Sequence, residues 1–469
     1  MKRRSRARRA PFFPALIKAF GFICALAAAG GAAATEAFET KLGNGLRVIV
    51  LEDHRAPTVA HFVWYRCGSI DETDGTSGVA HVLEHMMFKG TAKLAEGEYS
   101  KRVALAGGRD NAFTSRDYTA YYVQVPKARL TDMMALEADR MANLAVRPQD
   151  FAKEIKVVME ERRLRTEDQP RALVHEALLA TAFKGSPYRR PIIGWMADLE
   201  HMTAQDARDW YQRWYVPNNA FVVVVGDVDH ASVFKLAAQY YGKIPARPLA
   251  AVKTPSEPPQ RGMQRVEVKA PAQLPYLAMA WKVPKLSNVE RDREAYALDV
   301  LAAVLDGGDA ARFTKNLVRA TKIAESAGVS YDATERGDAL FIVDGTPAAG
   351  HTTQELEAAL RAEIASVASG GVSEQELERV KVQLVASQVY KRDSLMSQAI
   401  EIGAVEGVGL SWRDIDRMTE QLKTVTAAEV RAVAAKYFGD EQLTVARLDP
   451  QPLSGAPRAP AANVGHLLH

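Results

Sequence analysis

The chain has 469 residues, 47% hydrophobic and 25% charged. That length allows two or more domains, and that balance excludes a largely disordered chain. The formal charge of +3 comes from the first 34 residues, which hold seven of the 60 Lys and Arg residues and no acid; the remainder carries 53 minus 57, or −4. No global basic surface is left to argue for a nucleic-acid partner.

Six basic residues between Lys2 and Arg9, an apolar run from Ala19 to Ala29 and small residues from Gly30 to Ala34 form the pattern of a secretory signal peptide over residues 1–34. Cleavage is expected near Ala34 or Ala37, giving an exported, periplasmic protein. Lys18 interrupts the apolar run, so no stable membrane anchor is expected. Loss of Cys24 with the leader leaves Cys67 alone, which excludes an intramolecular disulfide and suits a small buried hydrophobe at a strand end.

The β-rich runs Leu46–Leu51 and Val59–Trp64, split by a polar segment, predict two neighbouring strands. Ser77 is the expected N-cap of a helix ending near Gly90, and a second helix runs from about Gly97 to Gly107 and Gly108. Alternation over Asn111–Thr114 and Thr119–Val125 predicts a hairpin. Helices follow over Leu130–Leu144 and from Gln149 to Thr166, the latter led by Pro148.

Five prolines between Lys243 and Gly262 mark a linker, placed at 246–262. It divides a first domain, 35–245, from a second, 263–450, with a Pro- and Ala-rich disordered tail over 451–469. The two blocks echo each other. Leu199, Thr203, Ala204, Asp206 and Arg208 precede Trp214 and Tyr215 and the strand Phe221–Val225. Leu422, Thr426, Ala427, Glu429 and Arg431 precede Tyr437 and Phe438 and the strand Leu443–Ala446 at matching spacing. A duplicated α+β domain is the expected fold class.

His81, Glu84 and His85 form an HxxEH run. Positions i and i+4 share a helical face, so both imidazoles reach one metal ion with Glu84 beside them to handle a proton. Such a set reads as a zinc hydrolase site, which needs about three protein ligands and one open position. Glu154 and Glu161, seven residues apart, stack on one helical face about 10 Å apart; one can bind metal while the other supports it. Spacing alone leaves open whether Glu160 or Glu161 faces the cleft.

HxxEH is the inverted zincin motif, and the text around it resembles the pitrilysin, insulin-degrading enzyme and mitochondrial processing peptidase family. The matching residues run from His81 through Phe88, Lys89, Gly90 and Thr91. They continue through Gly107, Gly108, Asn111, Ala112, Thr114, Ser115, Asp117, Thr119 and Tyr121, then Val157–Glu161, then Pro187, Tyr188, Arg190, Pro191, Ile193 and Gly194. The similarity spans about Phe38 to Pro450. It implies His81, His85 and Glu161 as ligands of one Zn2+ per chain, Glu84 as catalytic base and Glu154 as supporting carboxylate. It also implies two homologous α+β domains, each a mainly antiparallel sheet with helices on one face, closing like a clamshell on an extended peptide. The peptide is expected to add as a strand along Asn111, Ala112, Phe113 and Thr114.

Family members often carry in the second domain an arginine and, seven residues on, a tyrosine that grip substrate. Arg319 holds the first place here and Ser326 the second. The resemblance therefore also implies a homologous partner subunit that brings the missing pair, or failing that a homodimer, unless Tyr331 substitutes. A non-catalytic or metal-half subunit of a processing peptidase is the alternative to a self-sufficient metalloendopeptidase.

Overall fold

The computed structural model describes residues 37–249, 253 and 255–453. The expected signal peptide and most of the expected tail lie outside these residues. The described part of the linker, 246–249, 253 and 255–262, contains no helix or strand.

In the first half, strands β1 (Ala37–Lys41), β2 (Arg47–Glu52), β3 (Thr58–Tyr65), β4 (Arg109–Thr114), β5 (Thr119–Pro126) and β6 (Ala220–Gly226) form one sheet in the order β1-β2-β6-β3-β5-β4. The second half builds its sheet from β7 (Gln264–Pro271), β8 (Tyr276–Val283), β9 (Ala324–Ser330), β10 (Ala339–Pro347) and β11 (Leu443–Gln451), in the order β7-β11-β8-β10-β9. In both, the last strand of the half inserts between two earlier consecutive strands, parallel to one and antiparallel to the other: β6 lies between β2 and β3, and β11 between β7 and β8. The duplicated α+β architecture expected from the sequence is the one observed.

One strand pairing differs from expectation. β2 and β3 are consecutive but not adjacent, because β6 returns between them. Its sequence, Ala220–Gly226, is buried along its whole length, the continuous apolar pattern of a strand covered on both faces.

Helices α1 (Val79–Met86), α2 (Glu98–Leu105), α3 (Leu130–Asn143), α4 (Pro148–Arg162), α5 (Pro170–Ala182), α6 (Met196–His201), α7 (Ala204–Trp214) and α8 (His230–Tyr240) belong to the first half. The second half contributes α9 (Arg293–Asp306), α10 (Thr353–Gly370), α11 (Glu374–Lys391), α12 (Leu395–Gly407), α13 (Ile415–Lys423) and α14 (Ala427–Tyr437). The repeated text falls on α7 and α14. Each starts with a capping box, Thr203 with Asp206 and Thr426 with Glu429, and leads into the inserted strand.

Most helices pack on one face of the sheet of their own half, burying Val48, Val63, Tyr121 and Val222 in the first core and Met279, Trp281, Phe341 and Val445 in the second. The opposite faces are covered by exchange. α12, from the second half, brings Ala399 and Ile402 against Phe62, Trp64, Phe221 and Val223 of the first sheet. α5, from the first half, brings Val174 and Leu178 against Ala278, Ala280 and Ala446 of the second. Gly403 of α12 permits this contact, since a Cβ there would stand 2.0 Å from the Trp64 ring.

Polar ties reinforce the exchange. Arg336 donates to both carboxylate oxygens of Asp71 at 2.8 and 3.0 Å, and the Gly337 N–H donates to the Tyr188 hydroxyl at 3.0 Å. Cys67 sits fully buried in the first core, where burial pushes its thiol far up. Among the described residues no helix is long and apolar enough to cross a membrane.

Candidate metal centre

α1 turns Val79, Ala80, Val82, Leu83 and Met86 into the first core. Its other side faces a cavity of about 1170 Å³, lined by His81, Glu84 and His85. Ser77 does not cap this helix. Its hydroxyl hydrogen-bonds Asp198, and the cap is Gly78 at φ 87°. The carboxyl oxygens of Glu72 accept from the N–H groups of Gly78 and Ala80, both at 2.9 Å, so a side chain from outside the helix satisfies two of its orphan donors. Only glycine fits at 78, because a Cβ would meet the Ile193 carbonyl oxygen at 2.5 Å.

α4 crosses the cavity wall with Glu154 and Glu161 two turns apart, both facing α1 and buried. Glu161 Oε2 stands 3.3 Å from His85 Nε2 and 3.7 Å from His81 Nε2. The ligand atoms of these three residues lie within 4.8 Å of one another. Ligands at about 2.0–2.1 Å around one tetrahedral ion stand roughly 3.3 Å apart, so the spacing suits a shared cation. Glu161 Oε2 is buried and has no hydrogen-bond partner, an oxygen whose burial is costly unless a cation or donor meets it. Two imidazoles and a carboxylate with room for a fourth ligand form the donor set of a catalytic zinc site.

The surrounding side chains hold these groups in place. His85 Nδ1 pairs with Glu154 Oε1 at 2.9 Å, and Lys89 Nζ sits 2.6 Å from Glu154 Oε2. With Nδ1 engaged by Glu154, His85 turns its Nε2 toward Glu161 and the shared site. Arg165 Nη1 lies 2.9 Å from Glu161 Oε1, leaving Oε2 turned to the histidines. Glu160, the open alternative in the sequence, points outward to Arg163 at 3.1 Å.

Burial works against a charged His85, yet its pairing with Glu154 and the nearby Glu161 carboxylate hold its ring up to about 9. A cation entering this site must therefore displace a proton. Burial also opposes ionisation of Glu154 and Glu161, but their contacts with His85 keep both below the usual carboxylate range. Glu84 differs. Burial pushes it up to about 7, against the hydrogen bond from the Thr114 hydroxyl to its Oε2.

Thr114 ends β4, which stands at the end of the sheet. Asn111, Ala112 and Phe113 of the same strand line the cavity. Arg319 does not. It lies in the segment Phe313–Ala320, whose buried Phe313 and Leu317 anchor in the second core, and this turns Arg319 outward to pair with Asp309 at 2.9 Å. Ser326 is exposed on β9. Tyr331 gives its hydroxyl to the Pro284 carbonyl at 2.7 Å.

Residues 47–195 match the family model described as Insulinase (Peptidase family M16), and residues 201–384 the one described as Peptidase M16 inactive domain. The zinc protease PqqE of Helicobacter pylori is 30% identical over 417 residues, covering 87% of this chain and 92% of that protein. The chain belongs to peptidase family M16. An uncharacterized zinc protease of Bacillus subtilis, YmxG, is 26% identical over 398 residues, covering 85% of this chain and 95% of that one.

Among solved structures, a protease from Helicobacter pylori superposes with a TM-score of 0.84 at 28% identity, covering 89% of this chain and all of that one. The first half of the periplasmic protease PqqL from Escherichia coli shares the fold, with a TM-score of 0.73 at 20% identity and coverage of 88% and 91%. Against whole PqqL this chain spans 48% of the length. The site residues and strands β2 to β5 fall in the stretch matched to the M16 peptidase model, and β6, Arg319 and Ser326 in the stretch matched to the inactive domain.

Three supporting residues escape a reading of the motif. Arg165 stands four residues after Glu161, an i,i+4 acid-to-base spacing that is legible in the sequence. Lys89 stands four residues after His85 but beyond the helix end, and Glu72 reaches α1 through a turn, so periodicity identifies neither.

Proposed function

We propose that this M16 member is a zinc-dependent metalloendopeptidase of the periplasm, hydrolysing extended peptides or unfolded segments. The observation that carries the reading is the placing of His81, His85 and Glu161 around one point with the buried carboxyl of Glu84 on the same helix. His81, His85 and Glu161 would hold one zinc ion, which supplies Lewis acidity to a peptide carbonyl and lowers the pKa of water.

The chain's own residues do the rest. β4 offers its outer edge to an extended peptide, giving backbone hydrogen bonds with little demand on side chains. Thr114 fixes the Glu84 carboxyl at the end of that edge. Glu84, held near neutrality by burial, takes the proton of the attacking water and passes it to the leaving amine nitrogen. Glu154 and Lys89 keep the His85 ring in one orientation.

A second observation favours a shared chamber. Every side chain lining the cavity lies between His81 and Ile193, and none comes from the second half. Arg319 and Ser326 of this chain do not close it. On this reading the chain supplies the metal half, and a homologous subunit covers the cleft with an arginine and tyrosine pair. Peptide products identified by mass spectrometry, with the chain alone and with the homologue added, test both parts. Chelator-sensitive cleavage that rises with the homologue is expected. Full-rate cleavage by the chain alone contradicts the shared chamber, and chelator-resistant cleavage contradicts the metal site.

A further inference from the structure

A second cavity, of about 430 Å³, lies in the second half between α9, α11, α12, α13 and the segment Tyr331–Thr334. Leu286, Tyr296, Ile400, Val405, Ile415 and Met418 give it apolar walls. Asp299, Asp332 and Glu401 also line it, with a single ammonium, Lys391.

These charges are unevenly matched. Lys391 Nζ pairs with Glu401 Oε1 at 3.1 Å. Asp332 Oδ1 accepts from the Thr334 N–H and hydroxyl, both at 2.7 Å. The two phenols of the wall are engaged elsewhere, Tyr331 with the Pro284 carbonyl and Tyr296 with the Val289 carbonyl at 3.0 Å. Asp299, midway along α9, receives no hydrogen bond or ion pair from any described residue, and burial with Asp332 nearby pushes its carboxyl up to about 7. A carboxyl left without a donor against apolar walls is costly to ionise until a cation reaches it.

We propose that this cavity binds the side chain of an arginine or lysine carried by a polypeptide, with Asp299 as the counter-charge to the guanidinium or ammonium head. The apolar stem of such a side chain packs on the Ile415 and Met418 wall while its head reaches the carboxylate. Three carboxylates against one ammonium select for a cation. Ile400, 39% exposed, lies at the cavity, and Val389 and Tyr390, 54% and 72% exposed, flank it on the turn of α11 that contributes Gln388 and Lys391. This adjoining apolar surface is covered by a peptide segment and not by a free amine. No lining residue is shared with the cavity at His81 and Glu161, so the site is distinct from the proposed metal centre.

Calorimetric titration of the full Glu84→Gln chain with three capped probes tests the proposal: Leu-Arg-Leu, its citrulline counterpart and a single capped arginine. The arginine tripeptide is expected to bind about tenfold or more tightly than the citrulline tripeptide, and more tightly than the capped arginine. Asp299→Asn should remove the preference for arginine over citrulline with an unchanged unfolding midpoint. Should that variant fail to fold, Ala404→Leu, which fills the cavity, should remove the same preference. Equal binding of the arginine and citrulline tripeptides, absence of binding, or a preference that survives both variants overturns the proposal. Capped arginine binding as tightly as the tripeptide overturns the assignment to a polypeptide.

Discussion

The Thr114 hydroxyl donates to Glu84 Oε2, so one hydrogen bond joins the end of the open strand β4 to the proposed catalytic base. Strand and base therefore keep a fixed relation, and a peptide laid along β4 meets Glu84 at a set distance. Thr114→Val keeps the shape and removes the donor. A charged hydrogen bond contributes about 1.5–3 kcal/mol, so peptide cleavage is expected to slow by about tenfold or more with zinc content unchanged. Steady-state kinetics with metal analysis check this; loss of zinc in the variant would place Thr114 in a different role.

Glu154 touches His85 but does not face the shared ligand point, so its removal should loosen metal without abolishing the site. Glu154→Gln is expected to weaken zinc binding by about 10- to 100-fold, measured by competition with a chromophoric chelator. Lys89→Met, one step further out, should weaken it less. An equal or larger effect at Lys89 contradicts this order.

Much of this centre is legible in the sequence. The i,i+4 histidines and the seven-residue spacing of Glu154 and Glu161 need only helical geometry, which α1 and α4 supply. The repeat around Thr203 and Thr426 likewise announces two sheets of one topology. What is not legible depends on distant chain. β6 enters between β2 and β3 from 155 residues beyond the end of β3, and nothing in the Leu46–Trp64 text signals the gap. Ser77 has the chemistry of an N-cap, yet Asp198 takes its hydroxyl and Glu72 takes over the helix end. Nothing in the sequence of α5 or α12 signals which sheet it covers, and only the fold shows that each covers the sheet of the other half.

That exchange should be a large part of the stability. Gly403→Ala puts a methyl into the Trp64 ring, and overpacking of this kind costs about 1–3 kcal/mol. Chemical denaturation is expected to show the loss. A neutral result would mean that α12 is free to shift away from the sheet.

The β1 carboxylate of Glu39 ties the first sheet to the segment after α12. Burial acts to raise its pKa, but hydrogen bonds from Arg47, Arg413 and Trp412 bring it down from 4.5 to about 2. A depressed carboxylate stabilises the fold above its unfolded pKa and loses that contribution as pH falls through the folded value. The stability difference between wild type and Glu39→Gln should therefore be full above about pH 5 and shrink as pH falls from 4.5 toward 2. Unfolding midpoints across that range measure it, and a difference independent of pH refutes the assignment.

Zinc content and cleavage of an extended peptide, determined on the same preparations of wild type and Glu84→Gln, test the account most directly. Both proteins should hold one zinc per chain, and cleavage should fall by at least about a hundredfold in the variant alone. Wild-type protein without zinc, or a Glu84→Gln variant that still cleaves at the wild-type rate, would contradict it.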